Sequence, residues 1–170
     1  MNDFSRSIIG KNVKSLRLSL GLSQLSFSIL TGLSKPTIVN IESEKKGYNL
    51  NLLDKIIEFS DYSLSDLSSK DFILNTNIRE ELIEKYRSKR PEYYNILTQT
   101  PEIVYAIKNK LLVYDFIETP REIREIKKFF EKYGWNYKGT SISNALKRMP
   151  KLIQIKRHET KGNTNVYSKI

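Results

Sequence analysis

The residues of this sequence that could do chemistry are cationic and amide side chains, and they form two groups. The first group follows Ser34, where Lys35, Thr37 and Asn40 lie close together. The second is the basic stretch 141–163. Lysine and arginine donate to phosphate oxygens and to guanine, and asparagine can form two hydrogen bonds with adenine. These residue types indicate contact with a nucleic acid.

The net charge of +10 is concentrated in the last third of the chain. Residues 1–69 contain 8 Lys/Arg and 7 Asp/Glu, and residues 70–118 contain 8 of each. Residues 119–170 contain 13 Lys/Arg and 4 Asp/Glu. A positive field of this kind suits a polyanionic partner, whereas an evenly spread charge would favour a surface that serves solubility.

The composition argues against several other classes of function. There is no cysteine, and His158 is the one histidine, so we expect no metal site and no cofactor. No phosphate-binding glycine loop or nucleophile elbow is present, so we predict that the protein is not an enzyme and has no catalytic residue. No apolar run approaches the roughly 20 residues of a membrane span. Without a secretion signal either, we expect a cytoplasmic, nucleoid-associated protein without membrane contact.

The first 69 residues predict a bundle of short helices. A helical apolar stripe before Gly21 comprises Ile9, Val13, Leu16 and Leu20. Ser23 and Ser34 are N-cap candidates for the next two helices, and Gly32 permits a left-handed turn between them. This pair is a helix-turn-helix candidate. The segments "LNLLDKIIEF" and "SLSDL" predict two further helices, the last with a Ser63–Asp66 capping pair.

Residues 8–68 resemble the phage Cro/repressor-type helix-turn-helix family. The resemblance is carried by "GLSQ" at 21–24, Gly32-Leu33-Ser34, Thr37-Ile38 and Ile41-Glu42. It implies that Gln24 binds a phosphate and that Lys35, Pro36 and Asn40 point at base edges. It also implies a structural pair between Arg17 and Glu42.

Some positions depart from the family pattern or keep two interpretations. Pro36 replaces a polar, base-reading residue and could contact a thymine methyl group, and Ser28 replaces an alanine. Thr37 is either a phosphate contact or an ordinary first-turn residue. The lysines after the third helix reach phosphates or lie in a solvated loop. The candidate DNA-binding residues here are Gln24, Ser34, Lys35, Pro36, Thr37, Asn40, Lys45 and Lys46.

We interpret residues 70–99 as a linker followed by packing or dimerisation helices. The helical spacing of apolar residues supports this interpretation at Ile78, Leu82, Ile83 and Tyr86, and again at Tyr93, Tyr94 and Leu97. The tyrosines could stack on bases, but at helical spacing they more often lie in a core or an interface.

Residues 100–170 predict three helices followed by two strands. We expect Thr100 to cap the first helix, a Thr119–Glu122 capping box to begin the second, and Thr140 or Ser141 to cap the third. The alternation of Ile153 and Ile155 then predicts a two-stranded hairpin. This order resembles the winged helix-turn-helix class.

The winged-helix resemblance implies that the third helix enters a major groove and that the hairpin loop, or wing, touches the DNA backbone. The alternatives are a solvated helix face and an edge strand kept soluble by its charges. The candidate residues are Ser143, Asn144, Lys147 and Arg148 on the helix and Lys156, Arg157, Lys161 and Asn163 on the wing.

The sequence therefore predicts a mainly α protein. It would comprise a five-helix Cro/repressor-type domain (1–69), a linker with packing or dimerisation helices (70–99), and a basic winged-helix-like domain with a two-stranded β-hairpin (100–170). We interpret it as a bacterial or phage transcription regulator, a repressor, that binds double-stranded DNA through two modules. The alternative is an antitoxin-like regulator that binds a toxin-like protein through its middle segment and represses its own operon. Homodimer formation is left open.

Overall fold

The computed structural model describes residues 3–43 and 48–170, so Lys45 and Lys46 lie outside the described residues. The fold is mainly helical, with one three-stranded antiparallel sheet in its described part. The chain forms two compact units, Met1–Gln99 and Thr100–Ile170. In the segments that the structure describes, no helix is long and apolar enough to cross a membrane.

The described part of the first unit contains seven α-helices. They are α1 (Asp3–Ser19), α2 (Gln24–Thr31), α3 (Lys35–Glu42), α4 (Leu53–Ser60), α5 (Leu64–Ser68), α6 (Ile78–Tyr86) and α7 (Pro91–Thr98), with a 3-10 turn at Leu50–Leu52. The structure confirms three of the helix boundaries that the sequence predicted. Gly21 and Gly32 have φ angles of 64° and 62°, and a Ser63–Asp66 capping box begins α5.

The middle segment packs on the first helices and shares one core with them. Ile78, Leu82, Tyr86 and Leu97 are buried in the same cluster as the α1 stripe. Arg79 reinforces the attachment, because its guanidinium donates to the carbonyl oxygens of Leu20 and Gln99. A separate linker or dimerisation role for residues 70–99 stays a prediction.

The second unit combines three helical segments with the sheet. They are α8 (Ile103–Ala106), which continues into a π-helical turn (Ile107–Leu111), α9 (Ile123–Glu131) and α10 (Gly139–Lys147), with a 3-10 turn at Asp115–Ile117. The strands are β1 (Arg121–Glu122), β2 (Ile153–Arg157) and β3 (Asn165–Lys169). Their order in the sheet is β1-β3-β2, and Phe130, Ile142, Leu146 and Tyr167 contribute to the core beneath it.

The sheet has one strand more than the predicted two-stranded hairpin, because β1 pairs with β3. Arg121 pairs with Tyr167 and Glu122 with Val166. Since these backbone groups bond to β3, α9 begins only at Ile123. The Thr119–Glu122 capping box is wrong; the box instead joins Glu122 and Glu125.

Two smaller predictions in this unit are also wrong. The first helix begins at Ile103 rather than just after Thr100. The third begins at Gly139, with Lys138 at the N-cap position and no side-chain cap, so Thr140 and Ser141 lie inside it. In the edge strand β2, Ile153 is buried and Ile155 is 38% exposed.

Candidate nucleic-acid interface

Short polar side chains set the geometry of the α2–α3 pair. The Ser23 hydroxyl accepts a hydrogen bond from the Ser26 amide at 3.0 Å, and the Ser34 hydroxyl accepts one from the Thr37 amide at 3.2 Å. Gly32 has a left-handed backbone in the turn between the helices. Pro36 lies in the first turn of α3, where its missing N–H costs little. Both predicted caps are confirmed.

A buried ion pair ties α1 to the end of α3. The Arg17 Nε atom lies 2.6 Å from Glu42 Oε1, and Arg17 Nη2 donates to Glu42 Oε2 at 2.9 Å. Arg17 also donates to the carbonyl oxygen of Leu22 at 2.8 Å. Both side chains are less than a tenth exposed, so this pair holds α3 in a fixed position relative to α1.

Gln24, expected to bind a phosphate, is bonded to this ion pair. Its amide nitrogen donates to Glu42 Oε2 at 3.0 Å. This bond uses one of the two hydrogens on the amide nitrogen, and the other could donate to a phosphate oxygen. The structure therefore gives Gln24 an internal contact, and phosphate binding by Gln24 stays a prediction.

The outer face of α3 presents the predicted base-reading residues to solvent. Lys35, Pro36 and Asn40 are exposed, whereas the Thr37 hydroxyl is 2.8 Å from that of Ser34. Val39, which the sequence reasoning missed, lies on the same face and is 38% exposed. An apolar residue at helical spacing resembles a core position. Its helical spacing from Lys35 and Ser43, four residues before and four after it, was the one available signal.

In the second unit, α10 presents most but not all of its predicted residues. Asn144, Lys147 and Arg148 are exposed. Ser143 is half-buried, and its hydroxyl lies 2.9 Å from the Tyr167 hydroxyl of β3. Ser143 therefore faces the sheet, away from the outer face of α10.

The wing residues fall into two groups. Lys156 and Asn163 are exposed to solvent. Arg157 donates to the carbonyl oxygen of Gly162 at 2.8 Å, which closes the loop between β2 and β3. Lys161 is paired with Glu122 of β1. Part of the wing's positive charge is therefore already neutralised within the unit.

Glu122 is the centre of a cationic cluster. Arg124 Nε lies 3.0 Å from its carboxylate, and His158 Nε2 lies 3.5 Å away. Because His158 Nδ1 accepts from the Thr160 amide, its Nε2 carries the hydrogen that points toward Glu122. The hydrogen bond from Lys161, followed by the charges of Arg124 and Lys161, lowers the pKa of Glu122.

No metal centre is found where the structure describes the chain. Its residues there include no group of three or more His, Asp or Glu side chains that could hold an ion. What the two units offer instead are two exposed helix faces that carry amide and cationic groups.

Part of this chain is similar in sequence to a known protein. The chain is 30% identical over 92 residues to "Antitoxin PezA" of Streptococcus pneumoniae serotype 4, which is 54% of this chain and 58% of the antitoxin. The matched part thus spans less than two thirds of that relative's length. No family model matches the chain, and no solved structure matches it at a significant level.

Proposed function

We propose that this protein is an antitoxin-type regulator that binds double-stranded DNA and sequesters a protein partner. The observation that carries the proposal is the similarity to an antitoxin over 92 residues. The exposed faces of α3 and α10 support its DNA-binding half. The exposed side of the middle helices supports its partner-binding half.

The DNA-binding half rests on the α2–α3 pair as a Cro-type helix-turn-helix. Its caps, its left-handed glycine turn and the buried Arg17–Glu42 pair agree with what the family resemblance implies. Asn40 and Lys35 would then read base edges from the outer face of α3. Binding near its own promoter would repress its operon by blocking polymerase.

The partner-binding half assigns the contact to the outer side of α6 and α7. The apolar stripe of these helices is used by the first unit's own core, so a partner would meet their exposed side. A groove of about 440 Å³ lies next to this side, where α6 and α7 meet α2 and α4, and its floor includes the core residues Leu30, Phe59 and Tyr86. Lys55, Lys85 and Arg90 line its rim. Lys85 pairs with Asp61 at 2.8 Å and Arg90 with Glu58 at 3.7 Å, so a partner's carboxylate would compete with these two exposed acids.

This lining suits a partner segment that combines an apolar side chain with a carboxylate. The apolar floor would bury the first, and the cationic rim would attract the second. Two of the cations lie over tyrosine rings, with Lys85 4.8 Å from the Tyr86 centroid and Arg90 4.9 Å from that of Tyr93. These contacts hold the rim in place before a partner arrives.

The test is coexpression with the product of the neighbouring coding sequence. We expect that product to be toxic alone, to be harmless together with this chain, and to copurify with it. Arg90→Glu should weaken the complex by about tenfold, because it places a like charge opposite the partner's carboxylate. Arg87→Glu, an exposed control outside the groove, should leave the complex intact. A harmless neighbour that does not copurify would contradict the partner-binding half.

A second candidate is a transcription regulator that uses two DNA-binding units and no protein partner. The concentration of charge in residues 119–170 favours it, because a partner-binding role for the middle segment does not explain that charge. The same coexpression experiment separates the two candidates. Promoter repression without a toxic neighbour would favour the second.

A further inference from the structure

A groove lies beside α10 on the side that faces α8. It has a volume of about 490 Å³, and its lining includes Ile103, Val104, Lys108, Ser141, Asn144 and Arg148. Its floor is apolar, and its walls carry two cations and two neutral polar groups. Lys108 was absent from the residues that sequence reasoning selected.

The helical geometry of α10 places this groove and the wing on opposite flanks. At about 100° per residue, Ile142 and Leu146 share the buried side. Ser143 leads to one flank, where it contacts Tyr167 of the sheet. Ser141 and Arg148 lie on the other flank, toward α8. The exposed Asn144 and Lys147 lie between the two flanks.

The cations of this groove differ from those of the wing in their pairing. Lys161 of the wing is bound to Glu122. Neither Lys108 nor Arg148 forms an ion pair or a side-chain hydrogen bond within the described part of the chain. Two unpaired cations at one groove attract an anion more strongly than cations that a carboxylate already holds.

Lys108 lies in the π-helical turn Ile107–Leu111. Such turns are rare and often occur at functional sites. Lys108 lies four residues after Val104, so the two share one side of the helix, and both line the groove. The π turn gives a second reason to assign Lys108 a role.

We propose that Lys108 and Arg148 bind a backbone phosphate of duplex DNA on the flank of α10 opposite the wing. A helix about 10–12 Å wide fills a major groove about 12 Å wide, so a phosphate strand runs along each of its sides. The wing contacts one strand, and the α8–α10 groove contacts the other. Val104, which is 41% exposed, gives the adjoining sugar an apolar contact. The inference rests on the proposed DNA binding.

The test measures the affinity of the full-length protein for a fluorescent random-sequence duplex over a series of salt concentrations. Lys108→Ala should weaken binding by about fivefold or more and reduce the slope of log affinity against log salt by about 1. The matched control is Lys128→Ala, which removes an exposed, unpaired lysine of α9 outside the groove. It should change the affinity by less than about twofold.

A double variant tests whether the two flanks act separately. Lys108→Ala combined with Lys156→Ala of the wing should reduce the slope by about 2, because each substitution removes the contact to a different phosphate. Lys108→Ala behaving like Lys128→Ala, while the wild type still binds in a salt-dependent way, would overturn this inference alone. A wild type without salt-dependent binding would overturn the proposed DNA binding as well. Both substitutions are on exposed side chains, and circular dichroism checks their folding.

Discussion

The helices of the α2–α3 pair and those of the α9–α10 pair begin in different ways. In the first unit, serine side chains cap both α2 and α3, and Gly32 makes the turn. In the second, a Glu122–Glu125 box begins α9, and α10 begins at Gly139 with Lys138 at the N-cap position and no side-chain cap. The first third of the chain is close to neutral, whereas the last third contains 13 Lys/Arg and 4 Asp/Glu.

If both units bind DNA as proposed, this contrast predicts a division of roles between them. Local hydrogen bonds and a buried ion pair fix the orientation of α3, as sequence discrimination would require. The excess of cations in the second unit would supply attraction to phosphates that depends on salt and little on sequence. Two weak modules on one chain would then gain affinity through their effective concentration.

The largest effect is expected from breaking the buried ion pair of the first unit. Arg17→Ala leaves the Glu42 carboxylate buried without its partner, which should lower the free energy of unfolding by about 3–5 kcal/mol. Urea denaturation of the full chain measures this loss. The change should also weaken sequence-specific binding, because α3 loses its fixed position relative to α1.

The control for this prediction removes both charges. Arg17→Met combined with Glu42→Leu should recover most of the lost stability, since no charge is then left buried. A loss below about 1 kcal/mol for Arg17→Ala would mean that the pair acts like an exposed one.

The next effect concerns base reading by the first unit. Asn40→Ala should cost about 1–3 kcal/mol at the cognate base pair and little on random DNA, because asparagine can bond to two atoms of adenine. Competition between a selected duplex and its single-base variants measures this difference. Ser43→Ala, at the exposed C-cap of α3, is the control. Equal losses on cognate and random DNA would remove Asn40 from the base-reading residues.

The smallest effect concerns the neutralised wing of the second unit. Glu122→Gln keeps an acceptor at the start of α9 but releases Lys161, His158 and Arg124. DNA affinity should rise by about twofold at low salt, with less gain at high salt. Glu131→Gln, which removes one negative charge at the other end of α9, is the control. An unchanged affinity for Glu122→Gln would mean that Glu122 does not compete with phosphates.

The same cluster predicts a pH dependence of stability. The bond from Lys161 lowers the pKa of Glu122 in the folded protein below its ordinary value of 4.5. The stabilisation is therefore fully present above that value and is lost as the pH falls through the folded-state pKa. Thermal unfolding from about pH 7 to about pH 3 should show a smaller acid-induced loss for Glu122→Gln than for wild type. Parallel curves would contradict the role given to this pair.

The first unit was predicted better than the second, because the sequence signals that define the helices of the first unit are local. Ser23, Ser34, Gly32 and the Ser63–Asp66 box act within four residues of their position, so short motifs report them. The Arg17–Glu42 pair is distant in sequence, and the family resemblance supplied it. The bond from Arg79 to the Leu20 carbonyl had no sequence signal, because it depends on how the middle helices pack.

The second unit depended on contacts that spacing does not encode. β1 has two residues, too few to show alternation, and it exists because β3 offers an open edge. That pairing moved the start of α9 and brought Glu122 to Lys161. The hydroxyl of Ser143 contacts that of Tyr167 in the sheet, so Ser143 does not lie on the outer face of α10. Charge density was readable from the sequence, but the pairing of each charge was not.

Sequence-specific recognition by the first unit is tested most directly by selection from a random duplex DNA pool with the full-length protein at physiological salt. We expect an enriched motif that depends on the α3 face, with further binding that weakens as salt rises. No enriched motif, together with binding that disappears as salt rises, would contradict sequence-specific recognition by the first unit.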